Sequence, residues 1–293
     1  MTGNLAEVIV ATAKARPDLR IGILGDELRL DDALALAAGR AVEMLDSGLS
    51  PGDRVAMIAH NSTDYIVTWL GSLLAGTPVA LVNPTYPAAL IEEMLDPLVP
   101  QVVMDHHAIM GSRTTDRQSS ERGLPGLTVS PHAVVSYMHT SGTSGLPKFC
   151  AQSGSYFLRL ARVMANVLEL DRVDRVLAPL PLYHVNPLGY GVIPALLAGA
   201  DALTVRRFSA SSFWPDVVGA GVSVCILHAP PVEILKRRTT PDAAAGIGFA
   251  PCSMPTPSSS VPSGSRSCLG LRLDRARWSQ PSHLLVDRWR DIP

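Results

Sequence analysis

Lysine, aromatic side chains and net charge are all scarce in this sequence. Of its 293 residues only three are lysine, 5% are aromatic, and the formal net charge at pH 7 is −1. A nearly neutral chain gives no electrostatic reason to bind nucleic acid or an anionic membrane surface. Few aromatic rings also leave few platforms on which unpaired bases could stack. We therefore expect no nucleic-acid partner.

Cysteine is scarce too, and signals of export are missing. The N-terminus has no basic start or small-residue cleavage site, and Glu7 interrupts its first apolar stretch. The cysteines show neither paired metal-ligand spacing nor the density of a disulfide framework. Such usage is typical of a reducing compartment. These features predict a cytoplasmic protein with four unpaired cysteines: Cys150, Cys225, Cys252 and Cys268.

No uninterrupted hydrophobic run is long enough to cross a bilayer. The longest apolar stretch, residues 65–82, contains Gly71, Gly76 and Pro78. A membrane-spanning helix needs about 20 consecutive apolar residues. The alternative, a buried helix followed by a turn and a buried strand, accounts for the glycines and the proline. We predict no integral membrane span.

Short apolar strands alternate with amphipathic helices through the first 250 residues. Strand-like segments at 21–24, 54–59, 78–82 and 133–138 are separated by segments of helical periodicity. This alternation predicts right-handed βαβ units and an α/β fold with parallel-sheet layers. With 47% hydrophobic residues, the chain can bury a sizeable core. We predict one partial domain at 1–250, with a polar subdomain junction near 111–132.

The composition changes after about residue 250. Residues 251–293 are rich in Ser, Pro and Arg, contain no Lys, and lose both helix and strand periodicity. One interpretation is an irregular or disordered tail. The other is a shift of the coding frame, because a GC-rich gene read out of frame tends to encode Arg, Pro and Ser. Both interpretations separate the tail from the preceding domain.

One segment combines the residue types that bind phosphate. Residues 137–148 follow an apolar strand and contain four hydroxyl side chains, two glycines and a lysine. Glycines bring backbone N–H groups close to a phosphate, hydroxyls donate hydrogen bonds, and the lysine adds positive charge. A Walker A loop is excluded by the spacing, which makes a P-loop kinase a distant alternative. An ordinary polar turn is the other alternative. The candidate phosphate-binding residues are Thr140, Ser141, Gly142, Thr143, Ser144, Gly145 and Lys148.

Segment 137–148 resembles the phosphate-binding signature of the adenylate-forming (AMP-binding) superfamily, which includes the acyl-CoA synthetases. Three further segments agree in order: Ser50-Pro-Gly-Asp-Arg-Val-Ala, Ala75-Gly-Thr-Pro-Val-Ala-Leu-Val-Asn-Pro-Thr-Tyr-Pro, and Ala178-Pro-Leu-Pro-Leu-Tyr-His-Val-Asn-Pro-Leu. The segment Arg207-Phe-Ser-Ala-Ser-Ser-Phe-Trp resembles the corresponding segment of fatty-acid and carnitine-type CoA ligases in particular. The resemblance covers roughly residues 4–250 and thus the N-terminal part of such enzymes.

The resemblance implies activation of a carboxylic acid, fatty or related, to an acyl-adenylate and then an acyl-CoA. It implies ATP, Mg²⁺ and CoA as cofactors, and it places His184 beside the acyl and adenylate sites. A hydrogen-bonded wall residue is the other interpretation of His184. No residue is assigned with certainty to catalysis.

Motifs that the family carries further downstream are absent from this sequence. They are a Gly-Tyr-Gly-x-Thr-Glu segment, a Thr-Gly-Asp segment and a C-terminal lysine-bearing domain. We therefore expect a truncated, inactive ligase. The alternatives are a non-catalytic nucleotide- or acyl-binding module, and one half of a two-chain ligase that needs a complementing chain.

Two other chemically capable sites are weaker candidates. His106 and His107 follow an apolar strand, but adjacent side chains point apart and no third ligand is nearby. Cys150 lies just beyond the phosphate-binding segment without a basic partner that would activate it. We expect neither a metal site nor a cysteine nucleophile.

Overall fold

The computed structural model describes residues 3–110, 124–139, 147–238, 249–252 and 268–273. The α-helices are α1 Leu5–Ala15, α2 Leu30–Asp46, α3 Thr63–Ala75, α4 Ala88–Leu95, α5 His106–Ile109, α6 Gly154–Val167, α7 Ile193–Ala198, α8 Phe213–Gly219 and α9 Ala229–Arg238. The strands are β1 Arg20–Ile23, β2 Asp26–Arg29, β3 Val55–Ile58, β4 Val79–Val82, β5 Val102–Asp105, β6 Val134–His139, β7 Phe149–Ser153, β8 Arg175–Leu177, β9 Asp201–Thr204, β10 Val224–His228, β11 Phe249–Cys252 and β12 Cys268–Leu273. Short 3-10 turns lie at Asp96–Leu98 and Pro125–Leu127, and a π-helical turn at Asn186–Val192.

The fold is built on two mixed β-sheets. One has the strand order β11-β12-β10-β8-β9-β1-β2 and the other β5-β3-β4-β6-β7. Each has a parallel centre, formed by β10, β8, β9 and β1 in the first and by β5, β3, β4 and β6 in the second. The predicted α/β fold with parallel-sheet layers is therefore confirmed. Antiparallel strands close the edges, at β2, β7 and the pair β11–β12.

Helix α3 and strand β4 account for the longest apolar run of the sequence. The Ser62 side chain accepts a hydrogen bond from the backbone N–H of Tyr65 and caps the helix. Gly76, at φ 74°, ends it in the left-handed conformation that glycine adopts without a steric penalty. Every residue of α3 is buried. Among the described residues, no helix combines the length and the apolar character that crossing a bilayer requires.

Helix α3 lies between the two sheets and is hydrogen-bonded to both. The Thr63 hydroxyl accepts from the backbone N–H of Ile23 in β1 and donates to the carbonyl of Asp26 in β2. Further along, the Trp69 indole N–H donates to the hydroxyl of Ser136 in β6, at 3.1 Å. The main hydrophobic core, which includes Trp69, continues on both sides of this helix. Its polar bonds therefore fix how the strand ends of the two sheets face each other.

The last part of the described chain differs from the expected irregular tail. Cys268–Leu273 pairs antiparallel with β10, and Phe249–Cys252 pairs with it in turn. At these ten residues the backbone is extended and paired rather than irregular, because β10 would otherwise be an unpaired sheet edge. Residues 253–267 and 274–293 lie outside the described residues, as do 111–123 of the expected junction. The division into 1–250 and 251–293 stays a prediction.

Candidate active site

The carboxyl ends of parallel strands from both sheets meet in one region. Strand β6 ends at His139 and β10 at His228, and β8 leads directly into the segment 178–188. In the five-stranded sheet, β4 leads to Tyr86 four residues after its end. Open α/β sheets bind ligands outside such carboxyl ends. This region is therefore the candidate active site.

Five ring side chains pack together there, and we call them the aromatic cluster. His139 is buried at its centre, with its ring centroid 5.3 Å from that of His184 and 5.8 Å from that of Tyr183, on which it stacks. The rings of Tyr86 and Phe149 lie 5.5 and 6.4 Å from it. His139 thus connects the strand end that precedes the Ser/Thr/Gly segment with the segment that carries His184.

The candidate phosphate-binding segment emerges from this cluster. His139 and Phe149 are register partners of the antiparallel pair β6–β7, so the segment leaves and re-enters the sheet at the same level. Lys148 precedes Phe149 and is exposed. Thr140, Ser141, Gly142, Thr143, Ser144 and Gly145 lie outside the described residues. Their assignment to phosphate binding is carried forward as a proposal.

The environment of His184 keeps its imidazole neutral. Burial, followed by the nearby rings of His139 and His228, lowers its pKa from 6.5 to about 4. Removal from water disfavours the charged form, and neighbouring groups that can become positive disfavour it further. Its backbone N–H donates to the Pro181 carbonyl at 3.0 Å, which fixes the turn. Near neutral pH, His184 can donate or accept a hydrogen bond but carries no charge.

Buried Asn61 holds the segment that carries His184 in place. Its side-chain oxygen accepts from the backbone N–H of Leu182, at 2.8 Å. Its side-chain nitrogen donates to the carbonyls of Leu180 and Val205, at 3.0 and 2.9 Å. Because Asn61 follows β3 of the five-stranded sheet, these three bonds tie that sheet to the ends of β8 and β9. A small shift of Asn61 would therefore move His184.

The weaker candidates acquire no reactive environment. His106 packs edge-on to His60, at 6.1 Å between ring centroids, and lies in helix α5. Within the described ranges, no group of three or more His, Cys, Asp or Glu side chains could hold a metal ion. Cys150 is exposed and unpaired with another cysteine. Burial raises the pKa of the Cys225 thiol, which makes that side chain an inert core residue.

Sequence reasoning missed four residues of this region. They are Asn61, Tyr86, His139 and His228. His139 had a visible signal, since a histidine at the last position of an apolar strand directly precedes the Ser/Thr/Gly segment. Asn61 was visible only as a potential helix cap, a role that Ser62 takes instead. Tyr86 lies in the segment 75–87 that carries part of the family resemblance, but nothing in the sequence singled it out, and His228 gave no signal, because the position of both depends on strand pairing between distant parts of the chain.

The fold is that of an α/β protein with parallel-sheet layers, a class that binds ligands at the carboxyl ends of parallel strands. A family model described as AMP-binding enzyme matches residues 32–241, well over half of the chain. The chain belongs to the AMP-binding enzyme family.

Two relatives that the chain matches are named as acid–CoA ligases. An oxalate–CoA ligase of Arabidopsis thaliana is 27% identical over 248 residues, which cover 73% of this chain and 48% of that protein. A sulfoacetate–CoA ligase of Cupriavidus necator is 29% identical over 220 residues, which cover 73% and 39%. The chain therefore spans less than half the length of these relatives.

Solved structures share the fold. The N-terminal domain of FACL13 from Mycobacterium tuberculosis, with a bound inhibitor, gives a TM-score of 0.71 at 20% identity and covers 83% of this chain and 66% of that one. A fatty acyl-adenylate ligase from L. pneumophila, in complex with acyl adenylate and pyrophosphate, gives 0.72 at 15% identity, with 84% and 48% covered. At these identities the likeness establishes the fold alone.

Proposed function

We propose that this chain is the N-terminal, nucleotide-binding part of an ATP-dependent acid–CoA ligase. The observation that supports it most directly is the position of His139, which joins the Ser/Thr/Gly segment to the segment of His184 at the carboxyl ends of the parallel strands. Two relatives are named as an oxalate–CoA ligase and a sulfoacetate–CoA ligase, and these names support a carboxylic acid as the substrate class. The acid is fatty or related.

The proposed reaction has two steps. A carboxylate oxygen of the acid attacks the α-phosphorus of ATP, the bond to the departing oxygen breaks, and acyl-adenylate and pyrophosphate form. The CoA thiolate then attacks the acyl carbon, a thioester forms, and AMP leaves with the bonding electron pair. The acid needs no general base in the first step, because a carboxyl group is ionised near neutral pH.

Residues of this chain would bind and orient the reactants. Lys148 and the hydroxyl and amide donors of residues 140–145 stabilise the negative charge that develops on pyrophosphate. Neutral His184, between Tyr183 and His139, forms the wall against which the acid and the adenylate lie. Mg²⁺ in such reactions is usually held by the substrate phosphates together with one or two carboxylates, and no step is assigned to it here.

A second proposal concerns what these 293 residues do by themselves. The family motifs for adenine, ribose and the C-terminal lysine are absent from the sequence. The chain spans 48% of the oxalate–CoA ligase. We infer that it binds nucleotide or acid without completing the ligation alone, either as a binding module or as one half of a ligase completed by another chain. Mixing it with the C-terminal half of a relative and measuring thioester formation separates the two.

The assignment is tested by Lys148→Ala and Thr143→Ala. Loss of the positive charge or of the hydroxyl should weaken pyrophosphate binding about tenfold, as expected for a hydrogen bond to a charged group. Equilibrium binding of pyrophosphate and ATP to the chain measures this, and ATP–pyrophosphate exchange measures it in the complemented enzyme. Lys14→Ala, an exposed lysine on α1, is the matched control. If Lys148→Ala and Thr143→Ala bind pyrophosphate and ATP as tightly as Lys14→Ala and the unmodified chain do, the assignment is wrong.

A further inference from the structure

A second cavity opens next to the aromatic cluster. Its volume is about 450 Å³, and Tyr183, a member of the aromatic cluster, also lines this cavity. The cavity lies at the carboxyl ends of β3, β4, β8 and β9, where α/β proteins bind small molecules. The polar side chains in its wall are His60, Asn61, Thr85, Tyr183, Arg206 and Arg207.

The cavity presents positive charge. Arg206 and Arg207 are both exposed, and no Asp or Glu is among the described residues that line the cavity. Arg206 pairs with Asp26 outside the wall, at 3.4 Å, while 63% of its side chain stays exposed. Within the part of the chain that the structure describes, no carboxylate lies within ion-pair distance of Arg207. Its guanidinium is therefore available to a ligand.

Two other polar wall residues, Asn61 and Thr85, are already hydrogen-bonded within the protein, which helps to fix the shape of the cavity. The Asn61 amide binds Leu180, Leu182 and Val205, as described above. The Thr85 hydroxyl donates to the side chain of Asn83, at 2.9 Å. Donors that are satisfied within the protein do not compete for a ligand. Recognition thus rests on the two guanidinium groups, His60 and the Tyr183 hydroxyl.

Another cavity among the described residues, which is larger, lacks this charge. About 510 Å³ in volume, it includes Arg16 and Arg172 in its wall, but also Glu7. The Arg16 guanidinium pairs with Asp18 at 3.3 Å and donates to the backbone carbonyls of Arg172 and Gly199. Its charge is therefore used to join α1 to α7. Positive charge without a compensating carboxylate is a property of the smaller cavity.

We propose that the cavity at Arg206 and Arg207 binds an anionic group of a small molecule. Paired guanidinium groups suit phosphate, sulfonate and carboxylate oxygens, which they can bind through two parallel hydrogen bonds. Two sources fit this chemistry beside the candidate active site. One is a second anionic group on the acid, and the other is a phosphate of the thiol acceptor. The proposal depends on the cavity and its charge, not on residues 140–148.

Binding of inorganic phosphate to the full 293-residue chain tests the proposal. Saturable binding at moderate ionic strength is expected in isothermal titration calorimetry, and Arg207→Ala should weaken it about tenfold. Arg207 is the primary target because it is exposed and holds no structural ion pair. Arg172→Ala, an exposed arginine at the larger cavity, should leave the dissociation constant unchanged. Lys14→Ala, at an exposed lysine outside the cavity wall, should also leave it unchanged, and a loss in Arg207→Ala places the phosphate in this cavity rather than at residues 140–148.

Competition identifies the source of the anion. Displacement of phosphate by sulfoacetate, lost in Arg207→Ala, assigns the cavity to the acid, and displacement by adenosine 3′,5′-bisphosphate assigns it to the acceptor. The proposal is overturned if phosphate does not bind saturably, or if Arg207→Ala and the double variant with Arg206→Ala bind it as the unmodified chain does. Because binding rather than turnover is measured, an inactive chain does not affect the result.

Discussion

At the scale of single residues, burial gives side chains properties that they do not have in water. His184 is the clearest case, since partial removal from solvent and two neighbouring imidazoles depress its pKa. Asn61 is another, because a buried amide with three hydrogen bonds becomes a structural link rather than a surface group. Each effect leads to a prediction about the free energy of unfolding that can be measured.

His184 should make the folded state sensitive to acid. Its pKa is 6.5 in the unfolded chain and about 4 in the folded one, so the unfolded state binds more protons between these values. The free energy of unfolding therefore decreases as pH falls through this window, with an upper bound of about 3 kcal/mol from this residue. Urea unfolding at pH 7 and pH 4 should show a smaller loss for His184→Gln. His107→Gln, at an exposed histidine, is the control and should lose as much stability between pH 7 and pH 4 as the unmodified chain does. If His184→Gln also loses as much stability as the unmodified chain, the prediction is contradicted.

Replacing Asn61 should destabilise the link between the two sheets. Asn61→Ala leaves a buried N–H of Leu182 and two buried carbonyls without their partner, at a cost of about 2–4 kcal/mol. Urea unfolding measures the loss. Asn83→Ala is the control, because that half-buried side chain accepts hydrogen bonds from Thr85 alone among the described residues. Similar stabilities of the two variants would show that the three bonds contribute little.

At the scale of elements, local signals located most of the helices and strands. The periodicity of the sequence placed α3 and β4 correctly, because a capping serine and a terminating glycine mark the helix ends. Strands β2 and β7 escaped notice, since each is a short antiparallel edge strand beside a turn rather than part of a βαβ unit. Local signals do not show how closely two elements approach each other. Gly126 is an example of a very close approach.

Gly126 is required where a 3-10 turn packs on the end of α3. A Cβ at this position would overlap the carbonyl oxygen of Leu73 and lie 2.6 Å from that of Leu74. Gly126→Ala must therefore push the turn away from the helix, at an expected cost of about 1–3 kcal/mol. Thermal or urea unfolding measures it. Gly219→Ala is the matched control, because a Cβ there has no atom within 4 Å and alanine favours a helix. A destabilisation of Gly219→Ala equal to that of Gly126→Ala would refute the steric argument.

At the scale of the whole molecule, the position of β12 bears on the last 45 residues. Strand β10 is buried in the seven-stranded sheet, with β8 on one side and β12 on the other. The sequence-based expectation for residues 251–293 is an irregular or disordered tail or, alternatively, a change of reading frame near residue 250, and the frame change remains a prediction. Sequencing the gene from codon 230 onward, in all three frames, tests it: a second frame that encodes Gly-Tyr-Gly-x-Thr-Glu would support it.

Deleting residues 239–293 should expose β10 as an unpaired edge. Its backbone N–H and carbonyl groups would lose the partners they have in β12, and its apolar side chains would gain contact with water. We expect lower stability and concentration-dependent association, measurable by urea unfolding and light scattering. Deleting 274–293 alone is the control, because it keeps β12. If the longer deletion behaves as the unmodified chain does, the pairing is not needed for folding.

The sequence by itself determined the α/β class, the order of most elements, the resemblance to adenylate-forming enzymes, and two described candidates, Lys148 and His184. These follow from local periodicity, caps and one contiguous motif. Only the tertiary structure decided that His139 meets His184, that Asn61 bridges the sheets, and that Arg206 and Arg207 line a cavity without a carboxylate. Such properties depend on the pairing of strands that lie far apart in the sequence, and burial and charge are set by those neighbours rather than by the adjacent residues.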